Sequence, residues 1–408
     1  MRLRWTTLLA ASVAAATCAR PGGRPPPPPE EPVLRVGLLT GAADVRIGAP
    51  GGAIAALDGT PVTRLPAGTD AVLRADGAAF GLDGAGGDRY ERLAFASVAP
   101  ERPLAVNGRT YRGAVEVFVR DGALTVVNMV GLERYLAGVV NAEMGRRGPE
   151  DRAALEAQAV VSRTYALVNR GRFGAEGFDL RAGVSDQVYG GVESETDAGL
   201  AAVRATAGQV LTYHGAPITP FYHSTCGGAT ASPEEAFVSV RGTPYLRSVS
   251  DARPGGGHYC DLSPRYRWTV EWEGDSLRAI LRRTLPAALG IDGDALHDLR
   301  DVYVRRRGPS GRATEVRVRV ADGEIPVPAH AVRTAFETPE GRPLGSTAVA
   351  LATRFDGARL AGLVARGQGW GHGVGMCQWG AVGRARAGQD VRTILETYFP
   401  GTTLARWY

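Results

Sequence analysis

Glu143 is the acidic residue whose position most suggests catalysis. Apolar side chains recur at helical spacing before it, and Glu143 lies next on the same stripe. The stripe comprises Leu132, Tyr135, Leu136, Val139 and Val140. A carboxyl on a half-buried helix face loses hydration, which raises its pKa toward the range of a general acid. The pattern by itself favours a plainer alternative, in which Glu143 turns to water or pairs with Arg146 or Arg147.

Two short clusters of histidine and cysteine contain ligands that zinc prefers. They are His223-x-x-Cys226 and His258-x-Cys260, each beside a glycine-rich turn. Two imidazoles and two thiolates suit tetrahedral Zn²⁺, although the spacing is not that of a standard zinc finger. Two alternatives stay open: a Cys226–Cys260 disulfide formed after export, and a His223 that serves a site without metal. With Cys18 set aside, the three remaining cysteines cannot form a complete set of disulfides.

The segment from Gly367 to Gly380 alternates glycine with functional side chains. Alternate glycines let a backbone approach a ligand closely, and Trp370 and Trp379 could present flat faces to sugar rings. The alternative is a tight loop that packs both tryptophans into a core. The segment lacks the Gly-Lys-Ser/Thr ending of a phosphate loop. His372 and Cys377 are poorly placed to form a thiol nucleophile pair by themselves.

The elements that must position these residues change character along the chain. Short apolar runs separated by Gly, Pro and Asp predict strands and tight turns from Val33 to about Ala105. Asn107-Gly108 and Asp121-Gly122 predict hairpin turns in a β-meander. A further hairpin is predicted from Gln209 through a His214-Gly215 turn to Ile218–Tyr222.

Helical periodicity begins at Leu132 and returns twice. Residues 151–168 are rich in alanine and have small side chains on more than one face, so we predict a helix packed inside the domain. A third helix is predicted over residues 197–207. The fold class is therefore α+β: a β-rich N-terminal unit at 33–105 is followed by a mixed body at 106–408 that contains the buried alanine-rich helix.

Composition and charge exclude several classes of protein. With 44% hydrophobic and 22% charged residues the chain is an ordinary globular protein rather than a disordered one. All 47 basic side chains are arginine, so no lysine can form a Schiff base. The net charge of +5 is spread along the chain, without a basic aromatic patch, and nucleic acid is not an expected partner. No organic cofactor is expected.

The N-terminus predicts export from the cytoplasm. Residues 1–19 combine a basic start with a short apolar stretch and small residues, the arrangement of a secretory signal peptide. Cys18 stands where a bacterial lipoprotein carries its lipid, so a lipid anchor at Cys18 is the alternative to simple export. Residues 20–32 form a proline-rich linker, in which Pro25–Pro29 favour an extended spacer.

Taken together, these motifs resemble the stage II sporulation protein D and amidase enhancer (SpoIID/LytB) family of bacterial cell-wall proteins. The matching strings occur in order over about three-quarters of the chain. They are Tyr111–Gly113, Val127-Asn128, Leu132–Val140, Glu143-Met144, Ala157–Val160, Ser162–Ala166, Gln187–Gly190, His223–Gly228, Gly371–Met376 and Tyr398–Gly401.

The resemblance implies a protein that acts on peptidoglycan in the cell envelope. Enzymatic members are lytic transglycosylases, and their essential glutamate matches Glu143, which reverses the preference stated above. Some members bind zinc through the His-Ser-Thr-Cys region, which favours a structural zinc at His223, Cys226, His258 and Cys260. Five further residues are expected to line the substrate cleft: Arg163, Gln187, Tyr189, His372 and Gln378.

Two departures from the family pattern concern the site itself. Gly145-Arg146-Arg147 follows Glu143-Met144, where many relatives have Pro or Ser. Cys377 stands where many have Ser, and it adds a thiol near the expected cleft.

Three functions are compatible with the sequence. The first is a lytic transglycosylase that cleaves the bond between N-acetylmuramic acid and N-acetylglucosamine with Glu143 as its single acid and base. The second is a non-catalytic amidase enhancer that holds glycan strands and stimulates a partner cell-wall amidase. The third is a zinc amidase, which would need an open coordination position.

Overall fold

The computed structural model describes residues 30–82, 87–237, 242–292, 296, 298–357 and 359–408. The expected signal peptide, Cys18 and the proline run therefore lie outside the described residues. Among the described residues, no helix combines the length and apolar character needed to cross a bilayer.

The first part of the chain forms strands joined by tight turns. Their bounds are β1 (Val33–Ala42), β2 (Asp44–Ala49), β3 (Ala53–Leu57), β4 (Thr60–Leu65), β5 (Thr69–Asp76), β6 (Ala79–Leu82), β7 (Arg89–Tyr90), β8 (Arg92–Ser97), β9 (Leu104–Val106), β10 (Arg109–Tyr111), β11 (Ala114–Arg120) and β12 (Ala123–Gly131). Both residues of the Asn107-Gly108 and Asp121-Gly122 turns have positive φ, which matches the twist of a two-residue hairpin. These two predicted hairpins are confirmed.

Helices alternate with short strands after β12. The elements are α1 (Leu132–Met144), α2 (Arg152–Val168), β13 (Leu180–Arg181), α3 (Asp197–Ala205), β14 (Gln209–Tyr213), β15 (Ala216–Pro217) and β16 (Tyr222–His223). The predicted alanine-rich helix is confirmed as α2, which is buried from Ala154 to Ala166. Its small side chains allow neighbours on several sides, because alanine adds little width to a helix.

One predicted hairpin differs from the structure. His214-Gly215 does form the turn, and Tyr213 pairs with Ala216, but the returning strand ends at Pro217 rather than extending through residues 218–222. Tyr222 and His223 instead pair in parallel with Met376 and Cys377, so their partner lies far along the chain. Local sequence cannot reveal such a partner.

The chain then forms a second hydrophobic core before it returns to the first. The second core contains β17 (Arg267–Glu273), α4 (Gly274–Leu289), β18 (Asp301–Arg307), β19 (Ala313–Val320), β20 (Gly323–Pro328), α5 (Ala329–Ala335), β21 (Val349–Asp356) and β22 (Arg359–Gln368). The returning elements are β23 (Met376–Cys377), α6 (Gln378–Arg386), α7 (Val391–Tyr398) and β24 (Thr403–Arg406). Residues of β23, α6 and α7 join the first core, and β24 pairs with β14.

The sheets agree with the predicted α+β class. A seven-stranded sheet has the order β13-β1-β12-β11-β8-β3-β4, and a six-stranded sheet has the order β10-β9-β2-β5-β6-β7. β8 and β11 pair directly, so strands from both sides of the predicted boundary at residue 105 share one sheet. The boundary itself stays a prediction.

Candidate functional site

Glu143 lies half-buried near the end of α1, beside the first core. The preceding apolar stripe is buried, and the helix ends where Gly145 adopts a φ of 72°. The arginines that could have paired with Glu143 do not: Arg147 donates from Nε to the Met144 carbonyl at 2.8 Å and lies near Asp151. Glu143 is thus held by neutral groups rather than by a cation.

Three neutral groups converge on the Glu143 carboxyl from distant parts of the chain. The Val188 backbone N–H donates to Oε1 at 2.7 Å, and the Tyr222 hydroxyl donates to the same atom at 2.8 Å. The Gln378 side chain also lies close enough to the carboxyl to lower its pKa, and its Nε2 donates to Gln158 Oε1 at 3.3 Å. Burial raises the pKa of Glu143, these three groups lower it, and the net pKa is raised. Such a carboxyl can hold a proton closer to neutral pH than a solvated one.

A chain of buried hydrogen bonds supports Tyr222. Gln187 donates from Nε2 to the Tyr222 hydroxyl at 3.4 Å, and its Oε1 accepts from the Tyr135 hydroxyl at 3.3 Å. Gln187 is therefore linked to Glu143 through Tyr222. The expectation that Gln187 and Gln378 line a substrate cleft stays a prediction. Tyr222 and Tyr135 were not among the site residues expected from the sequence. The available signals were that Tyr222 adjoins the His-Ser-Thr-Cys motif and that Tyr135 shares the buried stripe with Glu143.

His372 supports Tyr222 from the backbone side. Its Nε2 donates to the Tyr222 carbonyl at 2.9 Å, while its Nδ1 accepts from the Val374 N–H at 3.1 Å. Both ring nitrogens are thereby used in the neutral form. Burial is the main cause that lowers the pKa of His372, to about 4. The ring positions Tyr222 and stays uncharged at neutral pH.

We predict that His372 gains no proton between pH 8 and pH 5. NMR of ring-labelled histidine should show an unchanged His372 signal over that range, whereas the urea-unfolded chain titrates near pH 6.5. Because the unfolded state binds the proton more readily, the free energy of unfolding should fall as pH drops from about 6.5 toward 4. A His372 signal that titrates above pH 6 would contradict the assigned hydrogen bonds.

Arg163 and Tyr189 do not reach Glu143. Arg163 is fully buried and donates from Nε and Nη2 to the two carboxylate oxygens of Glu133, each at 2.7 Å. Glu133 lies in the first turn of α1 and Glu143 in its last turn, about 15 Å away at the rise of an α-helix. The Tyr189 hydroxyl donates to Asn128 Oδ1 at 2.8 Å inside the core. Arg163 and Tyr189 were expected to contact substrate. In the structure both side chains are buried and bond to other residues of the protein.

The tryptophans of the glycine-rich segment each have an arginine over the ring. Arg265 lies 4.8 Å from the ring centre of Trp370, and Arg147 lies 4.2 Å from that of Trp379. Both rings are half-buried. Of the two tryptophans, Trp379 is closer in sequence to Gln378, the residue of this segment that lies beside Glu143.

The expected zinc ligands are only partly brought together. Cys226 and Cys260 lie side by side, but the group of possible ligands that they form is completed by Asp251 and Cys377. The His223 ring bonds through Nδ1 to the Val374 carbonyl at 3.2 Å. His258 shares a hydrogen bond of 2.6 Å between its Nδ1 and the Tyr266 hydroxyl. Among the described residues, the group close enough to share a metal ion comprises three cysteines and one aspartate, and His223 and His258 lie outside it.

Two family models and several known proteins match the regions of the chain that contribute residues to this site. The family model described as Stage II sporulation protein matches residues 120–213, and a model described as a domain of unknown function matches residues 254–375. An uncharacterized protein of Brachyspira hyodysenteriae is 30% identical over 74% of this chain and 74% of its own length. Stage II sporulation protein D of Bacillus subtilis is 26% identical over 78% of this chain and 89% of its own length.

The chain belongs to the SpoIID/LytB family. The Amidase enhancer of Bacillus subtilis is 29% identical over 62% of this chain. The match spans only 38% of that relative, so most of the amidase enhancer lies outside the aligned region.

Proposed function

We propose that this family member is an exported lytic transglycosylase that acts on the glycan strands of peptidoglycan. The observation that supports the proposal most is the Glu143 carboxyl, whose pKa is raised by burial and whose hydrogen-bond partners are all neutral. A general acid needs a proton at working pH, and burial beside neutral donors favours the protonated form. The family resemblance around Glu143 supplies the substrate class.

A single carboxyl is sufficient for the proposed reaction. Protonated Glu143 donates its proton to the glycosidic oxygen as the bond to C1 of N-acetylmuramic acid breaks and an oxocarbenium-like sugar develops. The resulting carboxylate then accepts the proton of the muramic 6-hydroxyl, whose oxygen bonds to C1. The products are a 1,6-anhydro sugar end and a free N-acetylglucosamine hydroxyl, and Glu143 is again protonated.

Tyr222 and Gln378 position the carboxyl and moderate its acidity. Hydrogen bonds donated to a carboxylate stabilise its charged form, so they favour the second step, in which Glu143 must accept a proton. Burial opposes them and favours the first step. The balance lets one group give and take a proton near the same pH.

We predict that Tyr222→Phe lowers kcat about tenfold or more and moves the alkaline limb of the pH–rate profile to higher pH. The variant removes a charge-assisted hydrogen bond of about 1.5–3 kcal/mol from the carboxylate, which raises the pKa of Glu143 further. The matched variant Tyr135→Phe removes a hydroxyl two hydrogen bonds farther from Glu143, beyond Gln187, and should change kcat less. Equal pH profiles for Tyr222→Phe and wild type would exclude this role of Tyr222.

The experiment that tests the function is digestion of purified peptidoglycan by the full chain, followed by mass spectrometry of the soluble products. The expected products carry 1,6-anhydro-N-acetylmuramic acid. Products only after addition of a partner amidase would instead support an amidase enhancer, the second candidate, which the name of the Bacillus subtilis relative favours. Free stem peptides that disappear with a chelator would support a zinc amidase.

A further inference from the structure

A buried group of three thiols and one carboxylate lies beside the start of α6. It consists of Cys226, Asp251, Cys260 and Cys377, and one ligand atom from each lies within 4.8 Å of all the others. Each residue is at most 1% exposed. We propose that these four residues bind one divalent metal ion of the zinc type in a closed tetrahedral site.

The spacing of the sulfur atoms suits a shared metal ion. Cys226 Sγ and Cys260 Sγ are 3.4 Å apart, which is too far for a disulfide bond of about 2.05 Å. A Zn–S distance of about 2.3 Å places two sulfurs of a tetrahedron about 3.8 Å apart. The observed separation is close to that value. A small movement of either side chain would complete the geometry.

Hydrogen bonds around the group point at its sulfur and oxygen atoms. The backbone N–H groups of Cys226 and Gly380 donate to Cys377 Sγ at 3.1 and 3.2 Å. The Cys260 N–H donates to Asp251 Oδ2 at 3.0 Å, and the Tyr398 hydroxyl donates to Asp251 Oδ1 at 2.7 Å. Donors of this kind orient ligands and support their negative charge in metal sites.

Two arginines balance the charge that such a site would carry. Three thiolates and a carboxylate around a divalent ion leave a net charge of about −2. Arg384 lies 3.3 Å from Asp251 Oδ1. Arg312 is fully buried and donates from Nη2 to the Cys226 carbonyl at 2.6 Å, while its Nε and Nη1 have no hydrogen-bond partner among the described residues. A buried guanidinium without a carboxylate is costly unless other negative charge is nearby.

The site would be structural. Four protein ligands fill a tetrahedral shell and leave no position for a reacting water molecule. The ligands come from four separate segments, and Cys377 also caps α6, where its Sγ accepts from Gly380. The ion would therefore fix the start of α6 and the adjacent Gln378, which contacts Glu143. The inference itself does not depend on the proposed reaction.

Metal analysis of ligand variants tests the inference. The purified full chain should contain about one zinc ion, and replacement by Co²⁺ should produce the thiolate-to-cobalt absorption of a cysteine-rich site. Cys377→Ser and Asp251→Asn should bind Zn²⁺ about ten- to a hundredfold more weakly or lose it. The matched variants His258→Ala and His223→Gln should retain one ion, because neither ring belongs to the group.

A second measurement covers the case in which a ligand variant fails to fold. Treatment of the wild type with a chelator and a reductant should lower its Tm, and added Zn²⁺ should restore it. The inference is overturned by metal that survives Cys377→Ser but not His223→Gln or His258→Ala. It is also overturned by a metal-free wild type, or by one whose mass shows a Cys226–Cys260 disulfide.

Discussion

Replacement of Glu143 by glutamine is expected to reduce the release of 1,6-anhydro products by about 10²- to 10⁴-fold, the usual contribution of general acid–base catalysis. Glutamine can accept the same hydrogen bonds from Val188 and Tyr222 through its Oε1, so the local structure should persist. The variant cannot donate the proton that the leaving glycosidic oxygen requires. Mass spectrometry of peptidoglycan digests measures the loss directly.

A control variant tests whether the loss of activity is specific to Glu143 or follows from the removal of any carboxylate in this part of the chain. Glu150 is exposed and lies seven residues further along the chain, so Glu150→Gln should leave the product yield unchanged. Binding of Glu143→Gln to insoluble peptidoglycan should remain within about twofold of wild type, because the change removes no large contact. Anhydro products at the wild-type rate from Glu143→Gln would remove the enzymatic proposal and leave the amidase enhancer.

The same variant should be more stable than the wild type at neutral pH. The pKa of Glu143 is raised in the folded state, so the folded chain holds this proton to a higher pH than the unfolded chain. The free energy of unfolding of the wild type should therefore fall as pH rises above about 4.5, whereas that of Glu143→Gln should lack this contribution. A gain of about 0.5–2 kcal/mol is the usual size for a single stabilising substitution. Urea unfolding at pH 4.5 and pH 8 measures the difference.

Replacement of Arg163 by methionine is expected to destabilise the fold by about 3–5 kcal/mol. Arg163 is fully buried, and its guanidinium forms two parallel hydrogen bonds to Glu133 and one to the Gln209 carbonyl at 3.1 Å. Methionine would leave Glu133 without its cation in a largely buried position. Urea unfolding at pH 7 measures the loss, and the folded fraction of the variant should bind peptidoglycan with unchanged affinity.

Two comparisons make the Arg163 prediction specific. Arg152 lies on the same helix and pairs with Glu156, but its side chain is 74% exposed, so Arg152→Met should destabilise the fold far less than Arg163→Met. Burial alone would raise the pKa of Glu133, but the hydrogen bonds and charge of Arg163 lower it below its usual value. The advantage of the wild type over Arg163→Met should therefore fade as pH drops through that pKa. An advantage that persists unchanged at pH 3 would contradict the ion-pair explanation.

Local structure was predictable where neighbouring residues decide it. The Asn107-Gly108 and Asp121-Gly122 turns require positive φ at both positions, which these residues tolerate, and both form hairpins. The apolar stripe before Glu143 and the alanines of residues 151–168 specify helices with one or several buried faces. α1 and α2 follow within a residue or two of the expected bounds.

Side-chain roles were less predictable, because burial alone does not identify the contacts that cause it. Arg163 lies within a family motif, and the expectation of a substrate contact followed from that motif. The structure instead pairs Arg163 with Glu133 across two helices. Likewise, His223 and His258 have the right chemistry for zinc, yet each ring is held by a hydrogen bond to another group.

The sequence by itself determined the family, the α+β class, the main hairpins and helices, and Glu143 as the candidate acid. Each depends on residues that are adjacent or spaced by one helical turn, or on motif strings that persist in order. Only the tertiary structure decided that Val188, Tyr222 and Gln378 meet at Glu143 and that Asp251 and Cys377 join Cys226 and Cys260. These partners come from distant segments, and the packing of the core, which no local pattern encodes, brings them together.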